Sequence, residues 1–238
     1  MTYHSPTPRP VYGHDMAANV DVGLRRYMLR VYNFMAAGLG LTGVVAYGAV
    51  ATGFYQAIAG TPLLWLVMLA PLVAVLFLSF RIGRMSMSTA QAIFWGFAAL
   101  MGLSLAGIFL VYTGASVARV FFISAATFAA MSLYGYTTRR DLSQVGSFLF
   151  MGLVGIVLAS LVNLFLASSA LQFAISVIGV LVFTGLTAWD TQRIKEVYVA
   201  SDSGDVLSKK ALMGALALYL DFINLFVMLL QLTGQRRS

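Results

Sequence analysis

Fifty consecutive residues, Val31 to Phe80, carry no charged side chain, and a second uncharged run of 48 extends from Leu142 to Trp189. A helix needs about 20 apolar residues to cross the hydrocarbon of a bilayer, so each run holds two crossings. The Gly-, Pro-, Thr- and Gln-bearing stretch Thr52–Pro62 divides the first, and the second turns near Ala167–Gln172. Met85–Ala118, with 34 residues and polar or small ends, supplies one crossing, and the 19 residues Val120–Thr138 supply another. Ala211–Gln235, interrupted only by Asp221, makes the last. The sequence therefore predicts an all-α polytopic membrane protein with seven transmembrane helices. Only 10% of the residues are charged and 60% are hydrophobic, whereas a soluble domain is about 25% charged.

Cytoplasmic flanks retain lysine and arginine, which gives the expected orientation. With the N-terminus inside, the inner segments hold 12 of the 15 basic residues and the outer ones only Arg119, Arg236 and Arg237. Seven spans then put the C-terminus outside. The net charge of +7 is on this reading an inner-leaflet bias, not a nucleic-acid footprint, and no basic patch is interleaved with aromatics. Residues 1–23, with Pro6, Pro8, Pro10 and Gly13, are expected to form a mobile N-terminal tail. Residues 24–235 form the seven-helix domain and 236–238 a short C-terminal tail. The first apolar run is too long for a signal-peptide core and reads as a retained span. Ala98, Gly102 and Ala106 in the third span have the four-residue spacing that lets helix backbones approach closely in lipid.

The inventory removes most enzyme chemistries. Without cysteine there is no thiolate nucleophile, thiolate metal site or thiol redox couple. The two histidines, His4 and His14, lie in the tail, so the apolar body has none for a Ser/His site, haem or zinc. An ionisable side chain inside a span costs at least about 2.5–3.5 kcal/mol, so those that remain need a reason. They are Asp190 at the end of the sixth span, Asp221 near the middle of the seventh, and Arg119, which reads as a snorkelling anchor at the start of the fourth.

If the sixth and seventh helices form an antiparallel hairpin around Ser201–Asp205, the two carboxylates fall at nearly the same height and can face each other. At about 100° per residue, Gly214, Ala217, Asn224, Met228 and Gln231 all lie within about 80° of Asp221, a stripe suited to a bundle interior or an aqueous path. Asp190 also fits a solvated helix end, with Trp189 marking the interface and Arg193 as an i+3 partner. Two carboxylates close together in low dielectric share a proton and titrate as one unit. Such a pair suits proton sensing, cation binding or acid/base chemistry. Calcium takes six to eight hard oxygens, which Asp190, Asp221, the Asn224 amide, backbone carbonyls and water can supply.

The strings GLTAWDTQRIK (Gly185–Lys195) and ALALYLDFINLF (Ala215–Phe226) closely resemble the two signature stretches of the Bax inhibitor family, the transmembrane Bax inhibitor motif proteins. RRYMLRVYNFMAAGL (Arg25–Leu39) is similar to its first-helix stretch, and the resemblance covers about Leu24 to Leu232. It implies a seven-helix fold with the last helix central and a pH-sensitive calcium leak without an enzymatic cofactor. The family's hydrogen-bonded aspartate pair carries over to Asp190 and Asp221. A basic residue at the inner end of the second helix latches the closed state on the sixth-helix aspartate, which makes Arg81 the first candidate and Arg84 the second. Animal members end in a long charged tail. The ending GQRRS resembles a bacterial inner-membrane member instead.

Two other functions stand beside a proton-gated leak for calcium. An intramembrane aspartyl protease also carries aspartates on neighbouring helices, but its GxGD string is here LYLD (Leu218–Asp221). A regulatory partner of other membrane proteins would need the aspartates only for structure. A retinal receptor is excluded, because Lys195, Lys209 and Lys210 all lie in the inner connector.

Overall fold

The computed structural model describes the backbone of residues 12–237 and the side chains of residues 22–237; most of the expected N-terminal tail lies outside the described side chains, and residues 1–11 lie outside it altogether. Seven long helices follow: α1 (Tyr12–Ala51), α2 (Leu63–Arg81), α3 (Met87–Leu105), α4 (Gly114–Thr137), α5 (Ser143–Leu166), α6 (Ser169–Glu196) and α7 (Gly204–Thr233). Short helical turns at Phe54–Ala59, Ile82–Arg84 and Ile108–Val111 join them. All seven have segments long and apolar enough to cross a bilayer, that of α1 beginning at Val22. The chain is an integral membrane protein of seven apolar helices. The helix α1 itself begins at Tyr12, within the segment assigned to the tail.

Helix ends fall where local chemistry stops them. Ser86, Thr113, Ser168 and Ser203 cap α3, α4, α6 and α7, each accepting the amide three residues on, which satisfies donors that no helical carbonyl can reach. Ala167 turns α5 into α6 with φ of 47°, closing that hairpin within the stretch the sequence reserved for a turn. Beside the α4–α5 connection, the Ser143 hydroxyl and amide hold the Asp141 carboxyl below its usual range.

The seventh helix is the core. Of its most apolar window 67% is buried, against at most 39% in any other span, and α1, α3, α4 and α6 all pack on it. Lipid-facing helices keep apolar side chains outward, as Phe148, Met151 and Leu158 of α5 do. The Ala98–Gly102–Ala106 stripe is where α3 meets α1. A Cβ on Gly102 would lie 2.6 Å from the Thr42 carbonyl, and Ala106 is packed with Ala46 and Ala49.

Hydrogen bonds tie both ends of the bundle. At the end rich in arginine and lysine, Arg30 donates to Ser208 Oγ (2.6 Å), Lys195 Nζ to the Tyr136 carbonyl (2.9 Å), and Lys210 pairs with Asp202. At the opposite end Gln235–Arg237 run antiparallel to Val111–Thr113, with Thr113 N donating to the Gln235 carbonyl (3.0 Å) and Arg237 N to that of Val111 (2.9 Å).

Candidate aspartate site

Close helix packing places the two carboxylates. Gly214 of α7 lies against Ile194 of α6, and Gly179 of α6 against Met228 of α7; a Cβ on either glycine would meet those side chains at 3.0 and 2.8 Å. This register puts Asp190 level with Ala217–Leu218, three to four residues and about 5 Å short of Asp221. The two therefore do not share one height. Asp221 sits about one turn deeper, because these contacts centre the hairpin near residue 204, ahead of the midpoint between the two aspartates themselves.

The carboxyls nevertheless come within interaction range of one another, and a hydrogen bond between them requires that one carry a proton. Asp221 is buried (5% exposed) and its Oδ2 has no hydrogen-bond partner among the described residues. Asp190 is half-buried and lines a cavity of about 470 Å³ at the basic end, with Tyr27, Ile82, Arg193, Lys209, Lys210 and Ala217 among its walls. The result is a vestibule ringed by cations that ends on a half-buried carboxyl, with a fully buried one behind it.

Arg193, one turn along α6, is the cation whose charge acts on Asp190, and its guanidinium lies 5.4 Å from the Trp189 ring centroid. The indole also rests on Gly146 of α5, so Trp189 helps to pack α5 against α6. Arg81 and Arg84 are both exposed at the end of α2, flanking Ile82 and Gly83, which border the vestibule. Among the described residues neither is ion-paired with Asp190. Asn224 is turned away from the pair. It donates to its own Leu220 carbonyl (2.8 Å) and faces an apolar groove with Leu153, Phe183 and Met228. Two carboxylates are thus the charged oxygen donors brought together here, and no third Asp, Glu or His joins them among the described residues.

Hydroxyl networks flank the pair, and sequence reasoning missed them. Thr191 donates to the Thr187 carbonyl (2.7 Å), so Ser132 must donate to Thr191 (3.0 Å) and Tyr32 to Ser132 (2.6 Å), linking α1, α4 and α6 beside Asp190. Thr42 donates to the Ala98 carbonyl (2.8 Å), so Tyr219, two residues before Asp221, donates to Thr42 (2.6 Å). Buried Gln192 accepts from Leu142 N and donates to the Arg140 carbonyl, both at 2.8 Å, clamping the α4–α5 connection beside Asp190. Ser, Thr and Tyr are common in membrane helices. Only their partners on other helices distinguish these ones, and a single sequence does not supply that pairing. At the opposite end Gln231 accepts from Gln172 (2.8 Å) and Ser176 (2.9 Å), which continues the polar stripe of α7 beyond Asn224 and Met228.

A family model described as the inhibitor of apoptosis-promoting Bax1 matches residues 24–238. An uncharacterized protein of Rickettsia prowazekii is 52% identical over 219 residues, which cover 92% of this chain and 93% of that protein. The inner membrane protein YbhL of Escherichia coli K12 is 49% identical over 227 residues, covering 94% and 97%. An uncharacterized membrane protein of Streptococcus pyogenes is 37% identical over 225 residues, covering 93% and 98%.

Proposed function

From the premise that this chain belongs to the Bax inhibitor family, we propose that it is a pH-sensitive calcium leak channel of a bacterial inner membrane, gated by Asp190 and Asp221. The observation that carries this reading is the close pair of carboxyls, one half-buried and one buried, at the foot of an open vestibule. A buried, proton-sharing pair responds to pH without any metal or cofactor. When both groups are ionised it presents hard oxygens to a divalent cation, with water completing the shell. The cation is cargo, and the protein's other partners are protons and the lipid bilayer.

In this reading the end rich in arginine and lysine faces the cytoplasm, so the N-terminus is inside and the vestibule opens inward. Arg81 or Arg84 would latch a closed state by crossing the vestibule rim to Asp190. Acid adds a proton to the pair. This weakens any arginine latch and also lowers the affinity for calcium, so gating and binding oppose each other as pH falls.

The test is calcium flux into liposomes that contain only this protein, measured across a pH series for the native chain and for Asp221→Asn. A pH-dependent flux that Asp221→Asn flattens supports the channel. Absence of flux at every pH would instead favour a regulatory protein that acts by binding other membrane proteins.

A further inference from the structure

We propose that the groove between α1 and α4 binds a phospholipid with an anionic headgroup, one acyl chain lying along the groove and the phosphate held at its basic end by Arg25. This site is separate from the aspartate vestibule and does not depend on the channel reading.

Helix α1 packs on α3 and α7, and α4 packs on α6 and α7, which leaves α1 and α4 apart across the face of α7. The gap is a cavity of about 1050 Å³ floored by Phe222. Small residues keep it open. A Cβ added to Gly40 or Gly43 of α1 meets nothing within 4 Å, and Ala125 and Ala129 line the opposite wall. Its rim faces sideways, with Leu29 51% and Val44 71% exposed, where a membrane-spanning protein meets lipid.

The dimensions choose the occupant. From Arg25 to Val44 the groove follows α1 for about 28 Å at ~1.5 Å per residue, while one leaflet of hydrocarbon, spanned by one acyl chain, is about 15 Å. An extended hydrocarbon chain of that length fits within the groove. The wall is almost wholly carbon apart from the basic end, and the hydroxyls along it, Tyr32 and Ser132, are already committed to one another and to Thr191. Hydrocarbon lying there strands no donor.

Charge selects the headgroup. Arg25 lines the basic end of the groove, and Tyr136 faces it across the gap. Lys195 donates to the Tyr136 carbonyl (2.9 Å) and lies 5.7 Å from its ring centroid. A guanidinium with a second cation behind the facing tyrosine suits a phosphodiester, and basic pockets between membrane helices take anionic lipids in this way.

The experiment reconstitutes the full chain in phosphatidylcholine nanodiscs containing a trace of photoactivatable phosphatidylglycerol or its phosphatidylcholine counterpart, with the reactive group on the acyl chain. Phosphatidylglycerol should label residues 29–44 and 121–136 several-fold more than phosphatidylcholine does. Gly40→Leu with Gly43→Leu, which fills open space and should leave the melting temperature unchanged, should reduce that labelling to the level of other lipid-facing helices. Arg25→Gln should make the two lipids label equally. Uniform labelling around the bundle, labelling unaffected by the filled groove, a phosphatidylglycerol preference that survives Arg25→Gln, or cross-links joining two copies of the chain through this groove would each overturn the proposal.

Discussion

Gly135 of α4 lies so close to the Ala188 carbonyl of α6 that a Cβ has no room between them. That contact sits two residues before Asp190 and fixes how near α4 comes to the helix carrying it. Gly135→Ala must push two backbones apart, and overpacking of this kind costs about 1–3 kcal/mol. We expect the melting temperature in detergent to fall by several degrees. Gly155→Ala on α5, where the added methyl meets nothing within 4 Å, should be neutral or slightly stabilising. Equal melting temperatures for the two variants would show that the α4–α6 approach is looser than described.

Asp190 and Asp221 should behave as one titrating unit. Replacing either with Asn removes the shared proton, so each single variant should flatten the pH dependence of flux, and the double variant should add little. Stability measured over the same cycle should show an interaction energy of about 0.5–3 kcal/mol. Two additive effects on the pH profile would mean that the carboxyls do not meet in the working protein.

Three arginines compete for the role of counter-charge to Asp190. The structure places Arg193 one turn from Asp190 on α6, lining the same cavity with no ion pair between them among the described residues, and leaves Arg81 and Arg84 exposed at the vestibule rim. If Arg81 latches a closed state, Arg81→Ala should raise the leak while Arg84→Ala does not. A raised leak in Arg84→Ala alone transfers the latch to Arg84. A raised leak only in Arg193→Gln would assign the latch to Arg193.

The span boundaries were legible because charge is so expensive in hydrocarbon that its absence marks each crossing. The turn expected at Ala167–Gln172 appears as the left-handed Ala167 and the Ser168 cap. The aspartates stood out for the same reason. The one-turn offset between them was not legible, since it depends on Gly214 meeting Ile194 and Gly179 meeting Met228, contacts with no signature in a single chain. Asn224 shows the limit of angular reasoning. It shares a broad stripe with Asp221, yet one turn further along α7 it lines the apolar groove with Leu153 of α5 and Phe183 of α6. The α1–α4 groove was invisible, because a gap between helices is set by what α7 holds apart.

The last prediction concerns sidedness. Gln235–Arg237 are hydrogen-bonded to Val111–Thr113 at one end of the bundle, while Asp202 and Lys210 pair at the other. A reporter fused after Arg237 and one inserted within Ser201–Asp205 should therefore lie on opposite faces of the membrane. Twelve of the 15 basic residues flank the spans at the Ser201–Asp205 end or precede the first span, so the inserted reporter should be cytoplasmic and the fused one external. The two fusions separate two claims. Opposite faces with the assignment reversed would retain seven spans and overturn the orientation, and with it the inward-opening vestibule. Both reporters on one face would mean that α7 does not cross, a result hard to reconcile with a helix packed against α1, α3, α4 and α6 and holding Asp221 away from solvent.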